Sequence, residues 1–392
     1  MKKLQLLLIC IIIIVAPAFS QESADMWIQL YDRLDTLEYK YNILQNIVDS
    51  DDRALIPLLQ KVLDETNRTT LSTVTTTDRR YFDEMQRIAI RKLGEFRVIE
   101  SEDAIFQAFR NNTNLVVRTD AIMALGNMES DKFIDDFIIT LRNINMRAES
   151  NFSVSENEAM AFALVNYFEN IRDIRSYEVL FYAASGWYGP RSGIRENARN
   201  ILQLITEDPS EILKNIIEND PSFENKILAL SIANDSSISD ERKSNLAVSG
   251  LREGIRHITH TTAEIMQLST LRLLASNMLL NSPHKDPEAI PYLERILLDN
   301  YSTSEKLAVI ETLATYRSNE AVETLLKFLR DQNTKQTAGM SPHIDRRTVI
   351  ATINALGEIG NPAARGELIV VTTIPSWATA VVQAAQAALA RL

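Results

Sequence analysis

The chain has 392 residues, 45% hydrophobic and 24% charged, the balance of an ordinary globular protein. With only 11 Gly and 11 Pro it is neither collagen-like nor linker-like, and the composition suits a chain made mostly of helix. A net charge of −11 gives it no electrostatic basis for neutralising phosphates, so no nucleic-acid partner is expected.

The N-terminus reads Met1-Lys2-Lys3, then an apolar run from Leu4 to Val15, then Ala16-Pro17-Ala18-Phe19-Ser20. A short basic region, a hydrophobic stretch and small residues at Ala18 and Ser20 predict a secretory signal over residues 1–20. Export to the bacterial periplasm follows, with full secretion as the other destination. The alternative is an uncleaved anchor, but the apolar run falls short of the roughly 20 residues a spanning helix needs. Cys10 lies inside the run instead of at its end, which argues against a lipoprotein signal. Cleavage would remove Lys2, Lys3 and the only cysteine, taking the net charge to −13 and excluding disulfide or thiolate chemistry. No later segment reads as a membrane span, so no stable span is expected after cleavage.

Next come N-terminal capping helices within residues 21–65, around Met26–Val48 and Arg53–Asp64. A Thr-rich loop follows over 66–80, with Thr66, Thr69, Thr70, Thr73, Thr75, Thr76 and Thr77. From 81 to 392 the chain repeats itself. The clearest copies are Lys92-Leu93-Gly94-Glu95-Phe96, Ala124-Leu125-Gly126-Asn127-Met128 and Ala355-Leu356-Gly357-Glu358-Ile359. Weaker copies centre on Leu164, Leu202, Leu230, Leu274, Leu313 and Leu389. These nine anchors lie 28 to 44 residues apart, 37 on average, which is the length of two helices and two turns.

Each anchor ends a first helix. Second helices begin at Asp208-Pro209, Asp286-Pro287 and Asn361-Pro362, where a capping side chain precedes a Pro at the first helical position. Inside them an Ala-x-x-x-Leu pattern recurs, as in Ala289-Ile290-Pro291-Tyr292-Leu293 and Ala321-Val322-Glu323-Thr324-Leu325. The Ala-rich Trp377–Leu392 closes the array as a C-terminal cap. No stretch shows sustained strand alternation. The expected fold is therefore all-α, a solenoid of about nine stacked helix pairs.

Ala121-Ile122-Met123-Ala124-Leu125-Gly126, the run Ala351–Gly360 and the Ala-Ile-Pro-x-Leu helix at 289–293 carry a resemblance. The chain resembles HEAT-repeat proteins, in particular bacterial HEAT-like repeats of the phycobilisome-lyase type. Strong copies cover about a third of the mature chain. The resemblance implies an α-solenoid that binds other proteins, and it implies no lyase chemistry.

Four connections stand out: Thr66–Arg80, Asn143–Ser155, Ser185–Arg191 and Asp331–Ile344. All join a second helix to the next first helix, along the edge where solenoids often carry their binding rim. In Ser185-Gly186-Trp187-Tyr188-Gly189-Pro190-Arg191, Trp187 and Tyr188 are candidate anchors for a protein partner. Arg191, Arg195 and Arg199 follow at four-residue spacing as a basic stripe. The opposing reading turns Trp187 inward as a plug between repeats, with the arginines paired to nearby acids.

Catalytic motifs are missing: there is no G-x-G-x-x-G, G-x-x-x-x-G-K, G-x-S-x-G or H-E-x-x-H. Only His257, His260, His284 and His343 occur. His257, His260 and Glu264 on one helical face would make an incomplete metal site, and this defines the alternative reading, a metal-dependent enzyme or factor. The leading expectation has no catalytic residue, cofactor or metal. It is an exported, non-enzymatic scaffold that binds a protein partner in the bacterial cell envelope.

Overall fold

The structure, a computed structural model, describes residues 24–69, 75–147, 154–340 and 343–392. The signal expected over residues 1–20 lies outside them. Twenty helices and no strand occur among the described residues. The chain divides into two compact units, one ending at Glu207 and the other beginning at Asp208.

The first unit holds α1 (residues 24–33), α2 (Leu37–Ile47), α3 (Ile56–Arg68), α4 (Thr76–Glu95) and α5 (Glu102–Asn111). It continues with α6 (Leu115–Asn127), α7 (Ile134–Asn145), α8 (Val154–Ile171), α9 (Tyr177–Ser185) and α10 (Ile194–Leu204). The second holds α11 (Ser210–Asn219), α12 (Phe223–Asp235), α13 (Asp240–Arg256), α14 (Thr262–Asn281) and α15 (Ile290–Leu298). It ends with α16 (Thr303–Tyr316), α17 (Asn319–Thr337), α18 (Arg346–Ile359), α19 (Arg365–Thr373) and α20 (Thr379–Leu389).

Each unit is a two-layered stack of helix pairs. Even-numbered helices pack on even-numbered neighbours, from α2 through α10 in the first unit and α12 through α20 in the second. Odd-numbered helices form the other layer, with α3 beside α5, α7 beside α9, and α11 through α19 in series. All nine sequence anchors fall on even helices. The all-α solenoid architecture is as the repeat spacing predicts.

The small-Leu-Gly motif has a physical cause in this packing. A Cβ on Gly94 would stand 2.7 Å from the backbone of Ala124, and one on Gly357 would stand 2.9 Å from that of Ala388. Gly126 meets Tyr167 in the same way. The glycine of one repeat thus seats the residue that precedes the anchor of the next, and any side chain there would push the even helices apart. Four residues after the anchor the chain leaves the helix in a left-handed conformation, at Arg97, Glu129, Arg317 and Gly360. Arg172 occupies the same place four residues after Phe168. The third anchor is therefore Phe168, one helical turn beyond the Leu164 that the spacing suggested.

A short side chain then receives the next helix. Asp208, Asp286 and Asn361 accept from the backbone N–H two residues on, as their Pro-flanked sequences predict. Asp52 and Asp173 make the same turn without the proline. Two expected loops are shorter than the sequence suggested. Helices α3 and α4 take up residues 66–68 and 76–80 of the Thr-rich segment, and α17 runs on to Thr337. Apolar and amide side chains at i, i+3 and i+4 continue its buried face through Gln332, Asn333 and Gln336.

Candidate partner-binding surface

The connection between α9 and α10, residues 186–193, turns its aromatic residues inward. Tyr188 is 1% exposed, and its hydroxyl donates to Asn145 Oδ1 at 2.5 Å. Trp187 is half-buried, packs on Tyr188 with ring centroids 4.6 Å apart, and donates from Nε1 to the Ile144 carbonyl. Burial, then the Glu158 charge, push the Tyr188 phenol above its usual range, so it stays a neutral donor.

The second unit repeats the device. Trp377, in the connection between α19 and α20, is buried and donates to Asn333 Oδ1 at 2.9 Å. Asn145 and Asn333 each also donate across to the next odd helix, to the Val179 carbonyl and to Glu367. An asparagine on one odd helix therefore locks both the following odd helix and an aromatic from the connection after it.

Tyr188 is accordingly corrected from a candidate contact to an interior lock, since its area and its hydroxyl are both spent inside the fold. Arg191 lies in the turn before α10, and Arg195 and Arg199 point outward from α10. The three share exposure without sharing one helix. Arg195 reaches the Ala184 carbonyl at 3.5 Å, and no ion pair to the three occurs among the described residues.

The metal alternative meets a geometric obstacle. His257 and His260 lie in the connection between α13 and α14, not on one helical face, because α13 stops at Arg256. His257 Nε2 sits 3.1 Å from Glu253, while Glu264 accepts from the Thr261 hydroxyl at the start of α14. No group of three or more metal-binding side chains converges among the described residues.

The even layer of the first unit carries a surface that motif reading missed. Between α6 and α8 runs an open groove of about 410 Å³, lined by Thr119, Asp120, Met123, Glu158, Ala159 and Phe162, with Ala163 and Ser192. Met123 is 37% and Phe162 41% exposed, and Val116 extends the apolar strip along α6. The two helices run side by side in one direction: Thr119 and Asp120 share the groove with Glu158 and Ala159, and further along Gly126 meets Tyr167. Both walls are fixed. Arg87 holds Asp120 at 2.8 Å, and the Gly189 N–H donates to Glu158 Oε1 at 2.9 Å.

A signal for this groove was present in the sequence. In α6 the anchor face takes Val117, Ala121, Ile122, Ala124 and Leu125, which leaves Val116 and Met123 seven residues apart with nothing in their own repeat to cover them.

The stacked pairs, the recurrent turn and the seating of one repeat on the next make the chain an all-helical repeat protein. No protein family profile and no curated protein matches it. Among solved structures it is similar to human deoxyhypusine hydroxylase in complex with glycerol, at 13% identity and a TM-score of 0.26 over 96% of this chain and 98% of that one. The matched protein is an enzyme by name, so the expectation that the chain is not an enzyme is withdrawn and no activity is put in its place. At this identity and score the likeness transfers no reaction, ligand or residue role. Among the described residues no helix is long and apolar enough to cross a membrane.

Proposed function

We propose that the chain is an exported helical-repeat scaffold that holds a protein partner in the bacterial cell envelope, with the α6–α8 groove as its principal contact. The observation that carries this reading is the pair Met123 and Phe162, left exposed side by side over a groove whose walls are already fixed. Large apolar side chains grouped along one groove are what a partner segment buries. The exposed Arg191, Arg195 and Arg199 flank the connection that fixes Glu158 and offer a second, polar set of contacts. The signal-like residues 1–20 support export, with the periplasm as the destination.

The test is in-cell crosslinking and affinity capture of the tagged protein beside a Met123→Glu/Phe162→Glu variant, with mass spectrometry of the captured proteins. A defined envelope protein held by the first and lost by the second, with unchanged helical circular dichroism, is the expected result. Equal capture would remove the groove from the account. Cell fractionation tests the compartment separately, and retention of the uncleaved chain in the cytoplasm would contradict export.

A further inference from the structure

The chemistry of the α6–α8 groove narrows its occupant, and this step rests on the groove being the contact surface. Its floor is apolar, made by Met123, Ala159, Phe162 and Ala163, while Thr119 and Ser192 are neutral. The lining holds two formal charges, Asp120 and Glu158, and both are negative. Neither carboxylate is free to swing away, because Arg87 anchors the first and the Gly189 N–H anchors the second. Glu158 is held through Oε1, which leaves Oε2 with no partner among the described residues. Arg87 offsets the Asp120 charge, so Glu158 is the charge the groove presents, and the whole chain is acidic as well, at −11, which favours the same sign of partner.

From this complementarity we infer that the groove takes an amphipathic, basic segment of a protein partner. One large aliphatic or aromatic side chain of that segment lies over Met123 and Phe162, and a Lys or Arg next to it meets Glu158. The two stripes that bound the groove have helical spacing, Val116, Thr119, Asp120 and Met123 on α6, and Ala159, Phe162 and Ala163 on α8. A helix laid between them presents apolar residues at i, i+4 and i+7 to the floor and basic residues to the rim. A methionine on the floor lets such a surface adapt to more than one apolar side chain.

The experiment uses the mature protein and a synthetic helical peptide of leucine and lysine, with glutamate-for-lysine and glutamine-for-lysine versions as controls. Affinity is read by fluorescence anisotropy at two salt concentrations, and location by the methyl resonances of 13C-methyl methionine. The lysine peptide is expected to bind at least about tenfold more tightly than the glutamate peptide, less so at high salt, and to shift the Met123 methyl. Glu158→Gln keeps a carbonyl for the Gly189 N–H and removes only the charge. It is expected to weaken the lysine peptide about two- to fivefold and to flatten the salt dependence. Phe162→Ser is expected to weaken all three peptides alike. No binding by the lysine peptide, equal or tighter binding by the glutamate peptide, or shifts that spare Met123 would overturn the inference. If Phe162→Glu still abolishes capture in cells while the peptides fail to differ, the groove stands and the basic partner falls.

Discussion

The two units stack the same helix pairs but fill the junctions differently. In the first, aromatic residues do it. Phe106 stacks on Phe133 at 4.0 Å, Phe109 and Phe137 meet edge to face, and Phe137 meets Tyr167 at 4.7 Å. In the second, charges do it. Lys226 on α12 and Glu253 on α13, only 2% and 1% exposed, pair at 3.0 Å, and the Lys226 ammonium also donates to the Ile217 carbonyl. Arg272 on α14 pairs with Glu305 on α16 at 2.7 Å and donates to the Gly254 carbonyl. Gly254 is small because the Arg272 stem lies where its Cβ would be. Aromatic packing contributes through the volume and area each ring fills, whereas a buried pair contributes only while both partners remain in place.

Removing one partner should therefore give the largest effect in the second unit. Glu253→Ala leaves the buried Lys226 ammonium with the Ile217 carbonyl but no counter-charge and is expected to cost about 3–5 kcal/mol, with hydrogen exchange showing the loss in α11–α13. Replacing both, as Lys226→Met with Glu253→Leu, should recover most of that cost. If the double variant is as unstable as the single one, the pair is not what holds this junction. In the first unit Phe137→Ala is expected to cost about 3–5 kcal/mol through the cavity it leaves, with no dependence on salt.

The pH response should separate the units further. Burial pushes Glu305 up, but the Ser302 hydroxyl and backbone N–H and the Arg272 guanidinium outweigh it and hold the carboxyl below its usual range. A depressed folded value means stabilisation that is complete above the unfolded value, about 4.3, and lost as pH falls through the folded one. The stability difference between wild type and Glu305→Gln should be full at neutral pH and shrink below that point. A difference that instead grows on acidification would reverse the assignment.

Smaller effects probe the features the units share. Tyr188→Phe leaves Asn145 Oδ1 without its donor and should cost about 1 kcal/mol, and loss of the Trp377 donor to Asn333 should match it in the second unit. Arg317→Gly relieves a left-handed non-glycine residue and should gain about 1 kcal/mol, bringing that turn to the chemistry Gly360 already has.

The fold was legible because its rule is local. A glycine sits where α4 meets α6, α6 meets α8 and α18 meets α20, and an Asp or Asn begins the helix after Asp52, Asp173, Asp208, Asp286 and Asn361, so both recur at readable spacing. The Leu164 register failed because Phe168 and Tyr167 replace the Leu and the small residue there, and only the left-handed Arg172 reveals the equivalence. The inward turn of Tyr188 was hidden for another reason: its partner, Asn145, lies 43 residues away and carries no signature of its own. The buried ions escaped notice because Lys226 and Glu253 look like ordinary surface residues of amphipathic helices until α12 and α13 are packed. The α6–α8 groove is likewise a property of two adjacent repeats, visible in neither alone.

The most direct test of the central claim is site-specific photocrosslinking in cells, with a photoreactive residue placed at Phe162 in the groove or at Ile139, which is exposed on the odd layer. The account predicts a discrete protein adduct from position 162 and none from position 139. Adducts from 139 alone, or the same adducts from both, would contradict it.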